Sequence, residues 1–569
     1  MALQKDMTVG KPSRLVVQFT IPVILGNIFQ QFYAMTDTII VGKFVGTSAL
    51  AAVGATGTIT FLILGFMWGL CAGFAVPIGQ KFGAGDLPAM RRAAGTAAVL
   101  SVLFTVLITA VSMLSMRGLL ALMNTPEDIS GMAYDYVIVI CAGFGAQMLY
   151  TMVATILRSL GNSRIPLIFL IISACLNIVL DLVFILCFSM GVAGAAWATV
   201  LSQGVSGVAC LIFIICRVPV LHLSARDFVP DGGLMANELK MGLPMALQFS
   251  ITAIGTLMVQ SSLNLLGSTV VAAYTAAGKI EQLLEQLFTG LGVTMASYCA
   301  QNFGAGKLDR VRSGVKAASV QNAISAAAAG IGCLTFGKYL TYLFVSDGIA
   351  EIMPMVELYL RCIAFFMIPL GMIFIFRNAL QGMGYSFLPM MGGVVELICR
   401  AVFAVVSGRQ RSYLLVCLAN PITWFITAVF LLVCYVKTMK LIRRKWGYGE
   451  NTQKCENSIL PLICCMDKRR RVTGRRLSAS LFMTERLRIF VRCDLHCNGK
   501  MMPGVRVTIR TAERIVRRGA EALWKRRSVS GSQSDVLPVR RLQDTLAPPF
   551  ILQITSRITR RWTASMSRG

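Results

Sequence analysis

Two polar residues interrupt the apolar stretch "CLNIVLDLVFI" (175–185): Asn177 and Asp181, four positions apart and therefore on one face of a helix. A second carboxylate, Asp37, lies in "FQQFYAMTDTIIVG" (29–42), where Tyr33 at i−4 and Gln30 at i−7 continue a polar stripe. Thr199 and Gln203 belong to a third such stretch, "GAAWATVLSQ" (194–203). Ionisable groups inside a bilayer are costly and mark ion or substrate paths. Two carboxylates, an amide and a hydroxyl are hard oxygen donors suited to Na⁺. The same carboxylates suit a proton, because close carboxyl groups in a low dielectric compete for one. The plainer use of such residues is to hydrogen-bond helices together.

Only membrane helices can bring these groups together. Of the 569 residues, 56% are hydrophobic and 14% charged, and the mean hydropathy is +0.68. Soluble domains carry roughly 25% charged residues. Apolar runs of about 20 residues, each long enough to cross a bilayer, recur through the first 440 positions. The expected fold is an all-α polytopic membrane protein. Its twelve spans fall near 15–40, 49–76, 93–115, 133–157, 165–187, 191–216, 240–264, 270–298, 315–345, 355–380, 387–407 and 413–436. The polar opening "MALQKDMTVGKPSRL" leads into a long span, unlike a cleavable signal peptide. Counted from the neighbouring turns at about 1.5 Å per residue, Asp37, Asp181 and Thr199 all lie ~12–15 Å below one membrane face.

Basic residues assign that face. Loops after even-numbered spans hold Lys81, Arg91, Arg92, Arg158, Arg164, Arg217, Arg226, Lys240, Lys307, Arg310, Arg312 and Lys316. Loops after odd-numbered spans hold Lys43, Arg117 and Lys338. Both ends of the membrane core are therefore expected in the cytoplasm. The loop "SGRQRSY" (407–413) disagrees, and its misplaced arginines suggest a disturbed end of span 11.

The core repeats itself. "GQKFGAGDLPAMRRAAGTAA" (79–98) matches "AQNFGAGKLDRVRSGVKAAS" (300–319), "LRSLGNSRIPL" (157–167) matches "LQGMGYSFLPM" (380–390), and "FTIPVIL" (19–25) matches "MGLPMAL" (241–247). The shared offset predicts two six-span halves, 1–220 and 221–445, in the same orientation, a transporter architecture. The second half does not repeat the acids: Asp37 aligns with Val259 and Asp181 with Ala404. It has its own polar set, Gln260, Asn264, Arg361, Asn378, Glu396 and Arg400, with Glu396 and Arg400 spaced as a neutralising pair. Gln30, Tyr33, Gln203, Gln260 and Asn264 are candidate substrate-cavity residues. Pro22 removes a helical hydrogen bond in the first span and permits a bend. Seventeen scattered cysteines and two histidines exclude a histidine-built metal centre and read as packing.

"QQFYAMTDTIIVG", the paired "GQKFGAGD" and "AQNFGAGK", "LRSLGNSRIPL", "LNIVLDLVFI", "GVAGAAWATVLSQ" and "LANPITWF" together resemble the multidrug and toxic compound extrusion (MATE) family over residues 1–445. The resemblance implies two pseudo-symmetric six-helix bundles in a V, alternating access, and export of amphipathic, cationic compounds by Na⁺ or H⁺ antiport. It places the family's cation site on Asp37, Asn177, Asp181 and Thr199 and its helix-bending proline on Pro22. Where some relatives carry an acid in the second lobe, this chain has Thr252.

The expectation is a monomeric secondary multidrug antiporter of the bacterial plasma membrane. Drug-like cations and membrane lipid are its partners, with no nucleic acid, no enzyme activity and no cofactor beyond the coupling Na⁺ or H⁺. A flippase for lipid-linked oligosaccharide is the alternative, weakened by the scarcity of cations in the first half's spans. Residues 446–569 hold 25 Lys and Arg against 9 Asp and Glu and form no recognisable domain. They read as a disordered basic tail or an accidental extension.

Overall fold

A computed structural model describes residues 5–123, 126–342 and 349–446. The tail at 447–569 lies outside the described residues. The described chain is helical, with no strand. α1 (Pro12–Phe44), α2 (Thr47–Gly83) and α3 (Leu87–Leu122) are followed by α4 (Glu127–Ala142) and α5 (Phe144–Ser159). Next come α6 (Arg164–Leu182), extended by a π-helical turn at Val183–Cys187, and α7 (Gly191–Arg217). The order then recurs in α8 (Gly232–Asn264), α9 (Ser268–Gly304), α10 (Leu308–Thr341), α11 (Ile349–Ala364), α12 (Met367–Gly382), α13 (Phe387–Gln410) and α14 (Tyr413–Lys445). α1 and α8 each have 33 residues, α2 and α9 each 37, and α4, α5, α11 and α12 each 16.

Among the described residues, nine helices are long and apolar enough to cross a bilayer, and up to eleven if each bent pair is one span. The pairs α4–α5 and α11–α12 bend by 48° and 50°. The expected eighth span lies in α9, which carries Lys279, Glu281 and Glu285 and is not counted among the eleven.

Small residues let the central helices touch. α2 and α8 run antiparallel, and a Cβ on Gly69 would lie 2.5 Å from Ala246 Cα, one on Gly73 2.3 Å from Gly242 Cα. Such contacts drive helix association where lipid leaves little hydrophobic gain. α1 straddles two apolar clusters. Leu15, Val16, Phe19 and Val23 pack with Phe288, Leu291 and Met295 of α9. Ile40 and Val41 pack instead with Ile185 and Val192 of the first half. α8 mirrors this, with Ala246 in the first half's cluster and Val259 and Leu263 against Val416 and Ala419. Pro22 and Pro244 sit within these two straddling helices, and α1 runs unbroken through Pro22.

The C-terminal ends of α2 and α9 carry the repeated "FGAG" motif and cross each other. A Cβ on Gly83 would lie 1.9 Å from Gln301 O, and one on Gly304 1.9 Å from Gln80 O, so only glycine fits at either place. Gln80 Nε2 donates to Gly382 O at 2.9 Å, and Gln301 Nε2 donates to Ser159 O at 2.8 Å. Each copy of the motif thus braces the opposite half.

The segment 407–413 forms an ordinary helical end, contrary to the disturbance expected of it. α13 continues to Gln410, Arg411 takes the left-handed cap conformation at φ 47°, and Ser412 N donates to Ser407 O at 3.2 Å. Ser407, buried, contacts Ser262 Oγ at 3.3 Å.

Candidate cation site

Three helices each contribute a pair of polar residues one turn apart: Tyr33 and Asp37 from α1, Asn177 and Asp181 from α6, Thr199 and Gln203 from α7. One turn is the spacing that points two side chains the same way. Asn177 and Asp181 are fully buried, and Asp37 is 9% exposed. The π-helical turn that follows Asp181 widens the helix at the site, a feature common at functional positions.

The structure brings the four expected cation-site residues together. Tyr33 OH donates to Thr199 Oγ1 at 3.3 Å. The Asn177 amide is fully satisfied when turned towards Asp181: Nδ2 then donates to Asp181 Oδ2 at 3.0 Å and Oδ1 accepts from Thr199 N at 3.3 Å. In the opposite orientation it reaches only Thr199 Oγ1, at 3.4 Å. Asp37 and Asp181 thus bracket the same Asn177–Thr199 pair, Asp181 through Asn177 and Asp37 through the cavity wall it shares with Thr199. Two buried carboxylates so close in a low dielectric favour a shared proton or cation. Asp37 Oδ1 and Asp181 Oδ1 are each buried without a partner. A cation held by these oxygens would remove that cost.

Asp37, Tyr33, Thr199 and Gln203 line a cavity of about 190 Å³, together with Thr60, Leu64, Tyr136 and Gln147. Drug-sized ligands need ~300–1,000 Å³. This space suits a cation with a few waters, and Thr60 Oγ1 and Gln203 Oε1 face it without partners. The cavity wall includes Gly143, at the break between α4 and α5. A Cβ there would lie 2.1 Å from Val200 Cγ2, so the bent pair closes on α7 only because residue 143 is glycine.

Three residues expected in the substrate cavity are not among those lining this small space. Gln30 does not line this space. Gln260 Nε2 donates to Asn264 Oδ1 at 3.0 Å, because the two lie one turn apart near the end of α8 and satisfy each other. The expected Glu396–Arg400 pair is also not formed. Glu396 pairs with Arg377 of α12, while Arg400 Nη1 reaches Thr252 O at 3.3 Å and Thr256 Oγ1 at 3.5 Å. Helical spacing allowed the first pairing, and an arginine on a neighbouring helix displaced it. Arg361 pairs with Glu357, and Asn378 donates to Phe374 O. Sequence reasoning missed Tyr136, Thr60 and Gln147, uncharged polar residues that no acid at helical spacing singles out. It also missed Glu281, which accepts from Tyr359 OH, and Arg377.

A family model for MatE matches the chain twice, at residues 22–183 and 241–406. The chain belongs to the MatE family. This MATE chain is thus a multi-pass membrane transporter and not an enzyme. It is similar to "Probable multidrug resistance protein YpnP" of Bacillus subtilis, 29% identical over 67% of this chain and 84% of that one. It is similar to the "FAD transporter" of Shewanella oneidensis, 24% identical over 68% and 85% of the two chains. The solved "Outward-facing conformation of a multidrug resistance MATE family transporter" superposes with a TM-score of 0.73 at 23% identity, covering 77% of this chain and 98% of that one.

Proposed function

We propose that this MATE transporter is a multidrug efflux antiporter of the bacterial plasma membrane. It exports drug-like cations in exchange for Na⁺ or H⁺ by alternating access between the halves 1–220 and 221–445. The observation that carries the coupling is the burial of Asp37 and Asp181 around Asn177 and Thr199, each acid with a carboxylate oxygen that has no partner. The multidrug resistance protein named above supports the drug-export part of the reading. Asp37, Asn177, Asp181 and Thr199 hold the coupling ion, and the free carboxylate oxygens fit a hard cation. α1 is the element that couples this site to the halves. Its lower part packs in the second half's core and its upper part carries Asp37, so relative motion of the halves must flex it, and Pro22 is where a hydrogen bond is already absent.

The test is ethidium efflux from proteoliposomes under separately imposed Na⁺ and H⁺ gradients. Asp37→Asn and Asp181→Asn are expected to abolish the stimulation by whichever gradient drives the wild type. Wild-type stimulation in both variants would overturn the assignment.

A further inference from the structure

The repeated motif and the residues ahead of α1 play no part in the cation site. The Gln80–Gly382 and Gln301–Ser159 braces are reciprocal, yet only the second copy of the motif holds an additional segment. Met7 N donates to Gln301 Oε1 at 2.8 Å, and Met7 O accepts from Asn302 Nδ2 and Arg310 Nη2, both at 3.1 Å. Lys307 Nζ donates to Thr8 O and to Thr8 Oγ1 at 3.0 Å each, and Arg310 Nη1 to Gly10 O at 2.9 Å. Met7 is fully buried. Residues 7–10 are thus fastened to the second half, which also holds the first turns of α1. The tip reaches across to the first half: Lys5 N donates to Leu160 O at 3.4 Å. It fits there because position 161 is glycine. A Cβ on Gly161, whose φ is +84°, would lie 2.0 Å from Lys5 O.

We propose that residues 5–10 form a strap that locks the basic end of the transporter shut. The strap moves with the second half, and its tip docks in a notch at Leu160–Gly161 of the first. The second-half anchor has six hydrogen bonds, four of them from Lys307 and Arg310, against one backbone bond at the notch. Charge-assisted bonds are the stronger kind. The notch therefore releases first, together with the Gln301–Ser159 brace. Arg310 and Lys307 are positioning residues in this scheme. The inference rests on the alternating-access reading, but its test does not require transport.

The test uses the full chain in vesicles with the basic end outward and Ala300→Cys as reporter. Ala300 is 2% exposed and faces Gly79 of the first half, so a thiol there becomes reachable when the halves part. Modification by a membrane-impermeant maleimide is read at that position by mass spectrometry, with the fully buried Cys417 as the marker of unfolding. Gly161→Ala fills the notch and is expected to raise labelling at position 300 about fivefold, the worth of roughly one hydrogen bond. Gly85→Ala is the control. Gly85 has a similar φ of +71° with nothing within 4 Å, so it carries the backbone strain without the notch. Equal labelling in Gly161→Ala and the parent overturns the proposal, as does an equal rise in Gly85→Ala. If Gly161→Ala also exposes Cys417, the decision passes to Lys307→Met, which frees Thr8 and leaves the Gln301–Ser159 brace in place: a rise at position 300 with Cys417 protected supports the strap, and no rise overturns it. A rise in labelling alongside absent ethidium efflux would keep the strap and refute the drug-export reading.

Discussion

Gly143→Ala tests the cation site without touching any of its polar groups. The added Cβ would lie 2.1 Å from Val200 Cγ2, 2.7 Å from Cγ1 and 2.9 Å from Cβ. Carbon atoms rest at about 3.5–4.0 Å, so α7 or the α4–α5 bend must retreat by roughly 1.5 Å. Val200 follows Thr199, and the Tyr33–Thr199 hydrogen bond at 3.3 Å has little slack before it fails. Overpacking of this kind costs ~1–3 kcal/mol. If half of that falls on the site, cation affinity drops by roughly fivefold. The assay is the Na⁺ concentration or pH that half-saturates ethidium exchange in proteoliposomes, on protein that elutes as a single peak in detergent. Second-site changes grade the effect. Val200→Ala leaves a closest contact of 2.9 Å and should restore part of the affinity, and Val200→Gly should restore most of it. Wild-type half-saturation in Gly143→Ala, or double variants no better than the single one, would refute the reasoning.

Other consequences are as direct. Asp181→Asn removes a charge lying about 3 Å from a bound cation; the gross attraction of ~5 kcal/mol at an effective dielectric of 20, about half offset by desolvation, predicts roughly 50-fold weaker cation affinity by titration. Arg377→Met strands buried Glu396 and should destabilise the fold by ~3–5 kcal/mol, seen as a lower melting midpoint in detergent, with Glu396→Leu recovering most of it. Gly73→Ala meets the Gly242 backbone at 2.3 Å and should cost folded protein, whereas Gly54→Ala, with open space around it, should not.

Much of the site was legible because membrane helices make polar residues expensive. Asn177 and Asp181 stood out at i, i+4 in an apolar run, and counting residues to the nearest turn put Asp37 and Thr199 at their depth. Tyr136, Thr60 and Gln147 carried no such signal, because none has an acid at helical spacing and they come from three helices, α4, α2 and α5, that meet only in the fold. The Glu396 pairing failed for a related reason. Spacing along one helix is visible in a sequence, but an arginine on the adjacent helix is not. The repeat was plain from three matches at nearly one offset, while the need for its glycines came into view only where α2 and α9 cross.

The antiparallel α2–α8 contact has a mechanical consequence. Along α2, the cavity is lined at Thr60 and Leu64, the backbones meet at Gly69 and Gly73, and the brace lies at Gln80 and Gly83. The contact is a fulcrum with the candidate cation site on one side and the brace between the halves on the other. At about 1.5 Å per residue the two arms are each roughly 14–17 Å long. The cavity's lining lies wholly within the first half, so a tilt about this contact carries its walls together while it parts the brace, and α1, packed in both halves, is what brings the tilt to Asp37.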